Sequence, residues 1–143
     1  MPETYFTKSE KETENLAYNF ANEGKIKLGD IVALYGDLGA GKTAFTRGLV
    51  RFFSPASRVT SPTFSLVNEY DKKILHFDMY RIKSEDDLLS IGFYDYLDGL
   101  NEKLIIIEWF DKIAGFFDEN TININIIKLN EDEREMIYAD TRD

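Results

Sequence analysis

Cysteine is absent from this 143-residue chain, which has a single histidine, His76, and three prolines. Without cysteine there is no disulfide framework, no thiol nucleophile and no thiolate zinc site. One histidine excludes multi-histidine metal centres and argues against a histidine-based triad. Three prolines are too few for a hinge-like linker, and no internal repeat or low-complexity tract occurs. No apolar run reaches the roughly 18 residues a membrane helix needs. The N-terminus, MPETYFTKSEKETEN, is too charged for a signal peptide. A single soluble, cytoplasmic domain with no membrane partner is expected over residues 1–143.

What is present can fill a core: 43% of residues are apolar, and there are 11 Phe, 8 Tyr and one Trp. Acidic residues outnumber basic ones by 26 to 17, a formal charge of −9. That balance argues against an independent nucleic-acid coat. The charge is also uneven. Between Asp37 and Glu69 there is no carboxylate, only Lys42, Arg47, Arg51 and Arg58, whereas Asp118–Asp143 carries eight acids against three bases. The acid-free interval leaves a sector open to a polyanion, and a phosphorylated ligand is the economical reading.

Ser9, with Glu12 three residues on, reads as a capping box. It opens a helix with the apolar face Leu16, Ala17, Phe20 and Ala21, stopped by Gly24. Ile31–Tyr35 and Leu104–Ile107 are short apolar runs of buried-strand type, the second ending at Glu108. A helix is predicted from about Lys42 to Phe53. Phe64–Tyr70 and Lys73–Asp78, joined by Asp71-Lys72, read as a strand pair, and Ser84 with Asp87 caps a further helix. Thr121–Lys128 and Met136–Ala139 are expected late strands. Strands alternating with helices predict an α/β, three-layer fold with a mainly parallel central sheet and some antiparallel strands.

Gly36-Asp37-Leu38-Gly39-Ala40-Gly41-Lys42-Thr43 matches G-x-x-x-x-G-K-[ST] in full, between a predicted strand and a predicted helix. The glycines let the backbone curl so that successive N–H groups face a phosphate, and the helix N-terminus adds its positive end. Lys42 suits the β- and γ-phosphates of a nucleotide, and the Thr43 hydroxyl suits Mg²⁺. A nucleotide and Mg²⁺ are therefore the expected ligands of a P-loop NTPase-like fold, with Ala44 continuing the binding segment. Such a site also needs a carboxylate at a neighbouring strand end. Glu108 is assigned to Mg²⁺, and Asp78 to the metal's water shell or the attacking water, with an exchange of these roles left open. Lys42, Asp78 and Glu108 are the candidate catalytic residues. Thr60-Ser-Pro-Thr63-Phe64 lies where a γ-phosphate-sensing segment would stand. His76 reads as a packed or hydrogen-bonded strand residue rather than a catalyst.

Together, Gly36–Thr43, Ser61-Pro-Thr-Phe64, His76-Phe-Asp-Met-Tyr-Arg81 and Ile107-Glu-Trp109 resemble the TsaE (YjeE) family over nearly the whole chain. The resemblance implies an ATPase of bacterial tRNA threonylcarbamoyladenosine synthesis. Its partners would be TsaD and TsaB, which transfer threonylcarbamoyl to N6 of the adenosine beside the anticodon; tRNA would be met only through them. It further implies that Gly36–Thr43 hold ATP, that Thr43 and Glu108 hold Mg²⁺, and that Asp78 supports hydrolysis. Thr63 would fall in the switch-like segment, Trp109 beside the nucleotide, and Arg134 would match an arginine that approaches it. Phe110 and Gly115-Phe-Phe117 depart from the prolines the family often has there.

A regulatory GTPase is disfavoured, because the chain has neither D-x-x-G nor N-K-x-D. A small P-loop kinase is the enzyme alternative, although six arginines, none adjacent in sequence, make a poor two-substrate clamp. A non-catalytic, nucleotide-dependent assembly switch is the other alternative.

Overall fold

Segments apolar on both faces can be stable only inside a sheet covered on both sides. Three segments fit that rule here: β2 (Ile31–Tyr35), β4 (Ile74–Asp78) and β5 (Leu104–Glu108), in which Val32–Leu34, Ile74–Phe77 and Leu104–Glu108 are all buried. A computed structural model of the chain describes residues 2–37, 39–59, 67–79, 85–90, 102–108 and 121–142. Its further elements are β1 (Glu3–Thr7), α1 (Glu10–Asn22), α2 (Lys42–Phe53), β3 (Val67–Tyr70), α3 (Glu85–Ser90), β6 (Ile122–Lys128) and β7 (Arg134–Asp140).

The strands form a seven-stranded sheet in the order β1-β7-β6-β2-β5-β4-β3. Its centre, β6-β2-β5-β4, is parallel throughout, while β7, β1 and β3 add to the two sides antiparallel. The mixed α/β fold with a mainly parallel centre is the one expected. Of the expected layers, the described residues show one helical cover, made by α1 and α2.

These helices form for the reasons read in the sequence. Ser9 caps α1 by accepting from the Glu12 N–H at 3.1 Å. The return bond of the box runs from the Lys8 N–H to Glu12 at 3.0 Å, one residue earlier than in the standard motif. Gly24 takes a left-handed φ of 80° just past the helix, which a residue with a Cβ adopts only with strain. Ala17 and Phe20 of α1 and Phe45 and Leu49 of α2 pack in one core with Val32, Leu34, Ile106, Ile124 and Met136 from one face of the sheet. The axes approach closely at Gly48: a Cβ there would lie 2.1 Å from the Glu14 carbonyl oxygen and 2.7 Å from the Ala17 Cβ.

The β3–β4 hairpin turns through Asp71 and Lys72, both with positive φ, and closes with the Lys73 N–H on the Tyr70 carbonyl at 2.9 Å. This is the type I′ geometry that matches strand twist. Of the expected strand pair, residues 64–66 lie outside the described residues, as do Ser84 and its capping role. Three strands differ from expectation at their boundaries: β4 and β6 each begin one residue later, and β7 runs from Arg134 to Asp140 rather than from Met136 to Ala139. The N-terminal strand β1 was not expected. Its Thr4-Tyr5-Phe6-Thr7 segment suits a strand, but only the β7 edge, paired from Glu3↔Tyr138 to Thr7↔Arg134, makes it one. Among the described residues, no helix is long and apolar enough to cross a membrane.

Candidate functional site

The Gly36–Thr43 loop leaves the carboxyl end of β2 and enters α2, at the sheet edge where parallel α/β proteins bind ligands. Three of its glycines are needed for different reasons. Gly39 and Gly41 have φ of 78° and 114°, left-handed values that disfavour a side chain. At Gly36 the demand is space, because a Cβ would stand 2.8 Å from the Ile126 carbonyl oxygen of β6. Gly41 is the N-cap of α2 and brings no side-chain acceptor to the helix start. The first N–H groups of α2 therefore keep their capacity for an anion. Asp37 is exposed, Ala40 and Ala44 are buried, and Thr43 is half-buried.

Lys42 is buried at the head of α2, an unusual place for an ammonium group unless it is paired. Its Nζ donates to the Gly36 carbonyl at 2.8 Å and stands 3.8 Å from Glu108 Oε1. The other oxygen of Glu108, Oε2, lies 2.6 Å from His76 Nε2. One buried carboxylate thus joins the loop lysine to a histidine in the middle of β4. Asp78 is the register partner of Glu108 on the adjacent parallel strand, and Leu34 is its partner on the other side. Register partners point to the same face, so Asp78 and Glu108 are side by side at the carboxyl ends of β4 and β5. The two acids expected to serve one crevice stand on neighbouring strands, and Glu108 also meets Lys42.

Arg134, at the start of β7, meets the loop itself. Its Nε donates to the Ala40 carbonyl at 2.8 Å and Nη2 to the Gly39 carbonyl at 3.2 Å, while Nη1 serves the carbonyls of Asn130, Glu131 and Glu133. Carbonyls held outward in this way leave the opposite side of the loop to N–H groups. A groove of about 500 Å³ opens beside the loop, lined by Tyr35, Asp37, Lys42, Asn125, Ile127 and Lys128 among others. That volume is in the range of small-ligand sites.

The acid-free interval has a different meaning in space. Arg47 lies 3.2 Å from Glu10 and 3.4 Å from Glu14, and Arg51 lies 2.6 Å from Glu14. These two cations are spent on α1, which corrects their reading as part of an anion-attracting sector. Of the interval's cations, Lys42 is the one in the loop. Leu38, Thr63 and Trp109 lie outside the described residues, and so does Arg81. Sequence reasoning did not connect His76 with Glu108, or Arg134 with the loop carbonyls. The polar residue at the centre of Ile74-Leu-His-Phe-Asp78, a strand otherwise apolar up to its terminal acid, was the available signal for the first.

A family model described as "Threonylcarbamoyl adenosine biosynthesis protein TsaE" matches residues 7–136. The chain belongs to the TsaE family. Among its relatives, a TsaE protein of Rickettsia typhi is 42% identical over 130 residues, covering 88% of this chain and 87% of the relative. One from Bacillus subtilis is 35% identical over 116 residues, covering 79% and 71%. Both are described as tRNA threonylcarbamoyladenosine biosynthesis proteins. The crystal structure of B. subtilis YdiB superposes with a TM-score of 0.74 at 28% identity, over 99% of this chain and 86% of that one. The fold is therefore that of an experimentally determined neighbour.

Proposed function

We propose that this TsaE-family chain is a weak, partner-stimulated, Mg²⁺-dependent ATPase that works in the cytoplasm. It would assist TsaD and TsaB in transferring threonylcarbamoyl to N6 of the adenosine beside the tRNA anticodon. The observation that carries the reading is Lys42: a buried ammonium at the head of α2, bonded to its own loop and 3.8 Å from a strand-end carboxylate. Family membership supports the pathway, and the glycine-built loop supports the ligand.

The residues present fit a nucleotide and its metal. Gly36, Gly39 and Gly41 form a curl that side chains would fill or strain, and the α2 N-terminus carries no side-chain cap. Among the described residues no group of three or more His, Cys, Asp or Glu could form an all-protein metal cage. A hydroxyl and a carboxylate, completed by phosphate oxygens and water, are the donor set Mg²⁺ prefers. Thr43 and Glu108 would hold that ion. When bound, Mg²⁺ supplies charge neutralisation at the phosphate oxygens, and ATP supplies the phosphoanhydride bond to be cleaved.

The chain's own residues would then act as follows. Lys42 exchanges its Gly36 carbonyl partner for β- and γ-phosphate oxygens. Asp78, beside Glu108, holds the water shell or orients the attacking water. Arg134 keeps the loop carbonyls turned outward. The acidic surface of the chain, with its formal charge of −9, suits a subunit that leaves tRNA binding to its partners.

ATP turnover measured with purified TsaD–TsaB should exceed turnover by the chain alone. An unchanged rate together with phosphorylation of a small acceptor would replace this reading with a kinase. Nucleotide-dependent association with TsaD–TsaB and no hydrolysis would replace it with an assembly switch.

A further inference from the structure

We propose that His76 is a positioning residue for Glu108. Held within β4, it fixes one carboxylate oxygen so that the other is presented in a single orientation to Lys42 and to the Mg²⁺ of a bound nucleotide. This rests on the reading of the loop as an Mg²⁺·ATP site and concerns how that site is kept in order.

His76 is fully buried, and its neighbours along β4, Ile74, Leu75 and Phe77, are fully buried apolar residues. A side chain needed there only for packing would be apolar, because an imidazole must be stripped of water. Among the described residues the compensation is a single contact: Nε2 lies 2.6 Å from Glu108 Oε2, while Nδ1 has no hydrogen-bond partner among them. The proton is assigned to Nε2 on that basis. An Nε2–H donating to the carboxylate leaves Nδ1 as a lone pair, whereas the opposite tautomer would bury an unpaired N–H and set two acceptors face to face.

The sheet register explains how the contact arises. His76 pairs with Ile106 across the parallel β4–β5 ladder, so Glu108, two residues further on, lies on the same face and one diagonal step towards the ligand edge. A free glutamate has three torsions to order before it can serve a metal. Here His76 takes Oε2, and Oε1 is the oxygen turned to Lys42. Partners of this kind commonly govern metal affinity by about 10- to 100-fold without touching the metal.

The test compares His76→Leu, His76→Gln and His76→Asn in the full chain, with a fluorescent ATP analogue bound at a series of Mg²⁺ concentrations and without Mg²⁺. Glutamine places an N–H near the position of Nε2, whereas asparagine stops short of it. In His76→Leu and His76→Asn the Mg²⁺ needed for half-maximal binding should rise about tenfold. Binding without Mg²⁺ should stay within about twofold of the unaltered chain, and His76→Gln should recover most of the Mg²⁺ response. In a Glu108→Gln background, His76→Asn should add nothing further, because the partner it acts through has gone. An equal loss with and without Mg²⁺, or an equal Mg²⁺ response in the glutamine and asparagine variants, would overturn the proposal. If His76→Leu does not fold, the glutamine–asparagine pair decides. Absence of Mg²⁺-dependent binding in the unaltered chain would overturn the nucleotide reading itself, and the proposal with it.

Discussion

The Nε of Arg134 donates to the carbonyl of Ala40 at 2.8 Å, joining the first residue of the last strand to the Gly36–Thr43 loop across 94 positions of sequence. The same guanidinium holds the carbonyls of Gly39, Asn130, Glu131 and Glu133, so the loop and the β6–β7 hairpin share one hydrogen-bonded support. Arg134→Ala should loosen the loop before any ligand arrives. Affinity for ATP and ADP should fall by a similar factor, about tenfold or roughly 1.4 kcal/mol, near the lower end of the roughly 1.5–3 kcal/mol of a hydrogen bond to a charged group. Equilibrium binding of both nucleotides checks this. A loss confined to ATP would instead place Arg134 on the γ-phosphate.

Glu108→Ala removes the carboxylate that pairs with Lys42 and His76. The variant should still bind ATP through the loop but lose Mg²⁺-dependent hydrolysis by about two orders of magnitude or more. Single-turnover hydrolysis with and without Mg²⁺, beside a binding titration, separates the two effects. Normal turnover would remove Glu108 from the metal.

Gly48 in α2 has no room for a methyl group, which would lie 2.1 Å from the Glu14 carbonyl oxygen. In an isolated helix, glycine to alanine gains about 1 kcal/mol. Here α1 must move away, and overpacking of this kind costs about 1–3 kcal/mol or more. Gly48→Ala should therefore lower the unfolding free energy by a net amount of up to about 2 kcal/mol, read as a lower urea midpoint at unchanged slope. A higher midpoint would show that α1 can shift freely.

Acid should weaken the fold through Glu14 and Asp140. Burial works to raise the Glu14 carboxyl, but Lys11, Arg51 and Arg47 outweigh it and hold the group below its usual range. The Arg142 hydrogen bond holds Asp140 low against its own partial burial. A carboxyl lowered in the folded state binds its proton more readily when unfolded. The stabilisation is thus present above the unfolded value of about 4 and is lost as pH falls through the folded one. Thermal melts should be flat from about pH 7 to 5 and decline below about pH 4.5. Glu14→Gln should start lower by about 1 kcal/mol and decline less steeply. An unchanged slope would remove Glu14 from the acid transition.

Much of this arrangement could be read from single stretches of chain, and the exceptions share one character. The α1 cap, the Gly24 stop, the buried β2 and β5 strands and the whole of α2 follow from local patterns of a few residues. β1 did not, because Glu3–Thr7 is short, largely exposed and stabilised by an edge that lies more than 120 residues away. Nor did the fate of Arg47 and Arg51. Their acid-free stretch looked open to a polyanion, yet helix packing sets Glu10 and Glu14 against them.

By itself, then, the amino-acid order determined the Gly36–Thr43 loop, since the glycine spacing, Lys42 and Thr43 act through backbone conformation within eight consecutive residues. It also supplied the two strand-end acids. Tertiary structure alone decided how these parts work together. The parallel pairing of β4 with β5 sets Asp78 beside Glu108 and brings His76 to the same carboxylate. The antiparallel return of β7 carries Arg134 to the back of the loop. Register and strand order are collective properties of the packed sheet, so the partners of a buried charge could be known only once its neighbours from distant sequence were in place.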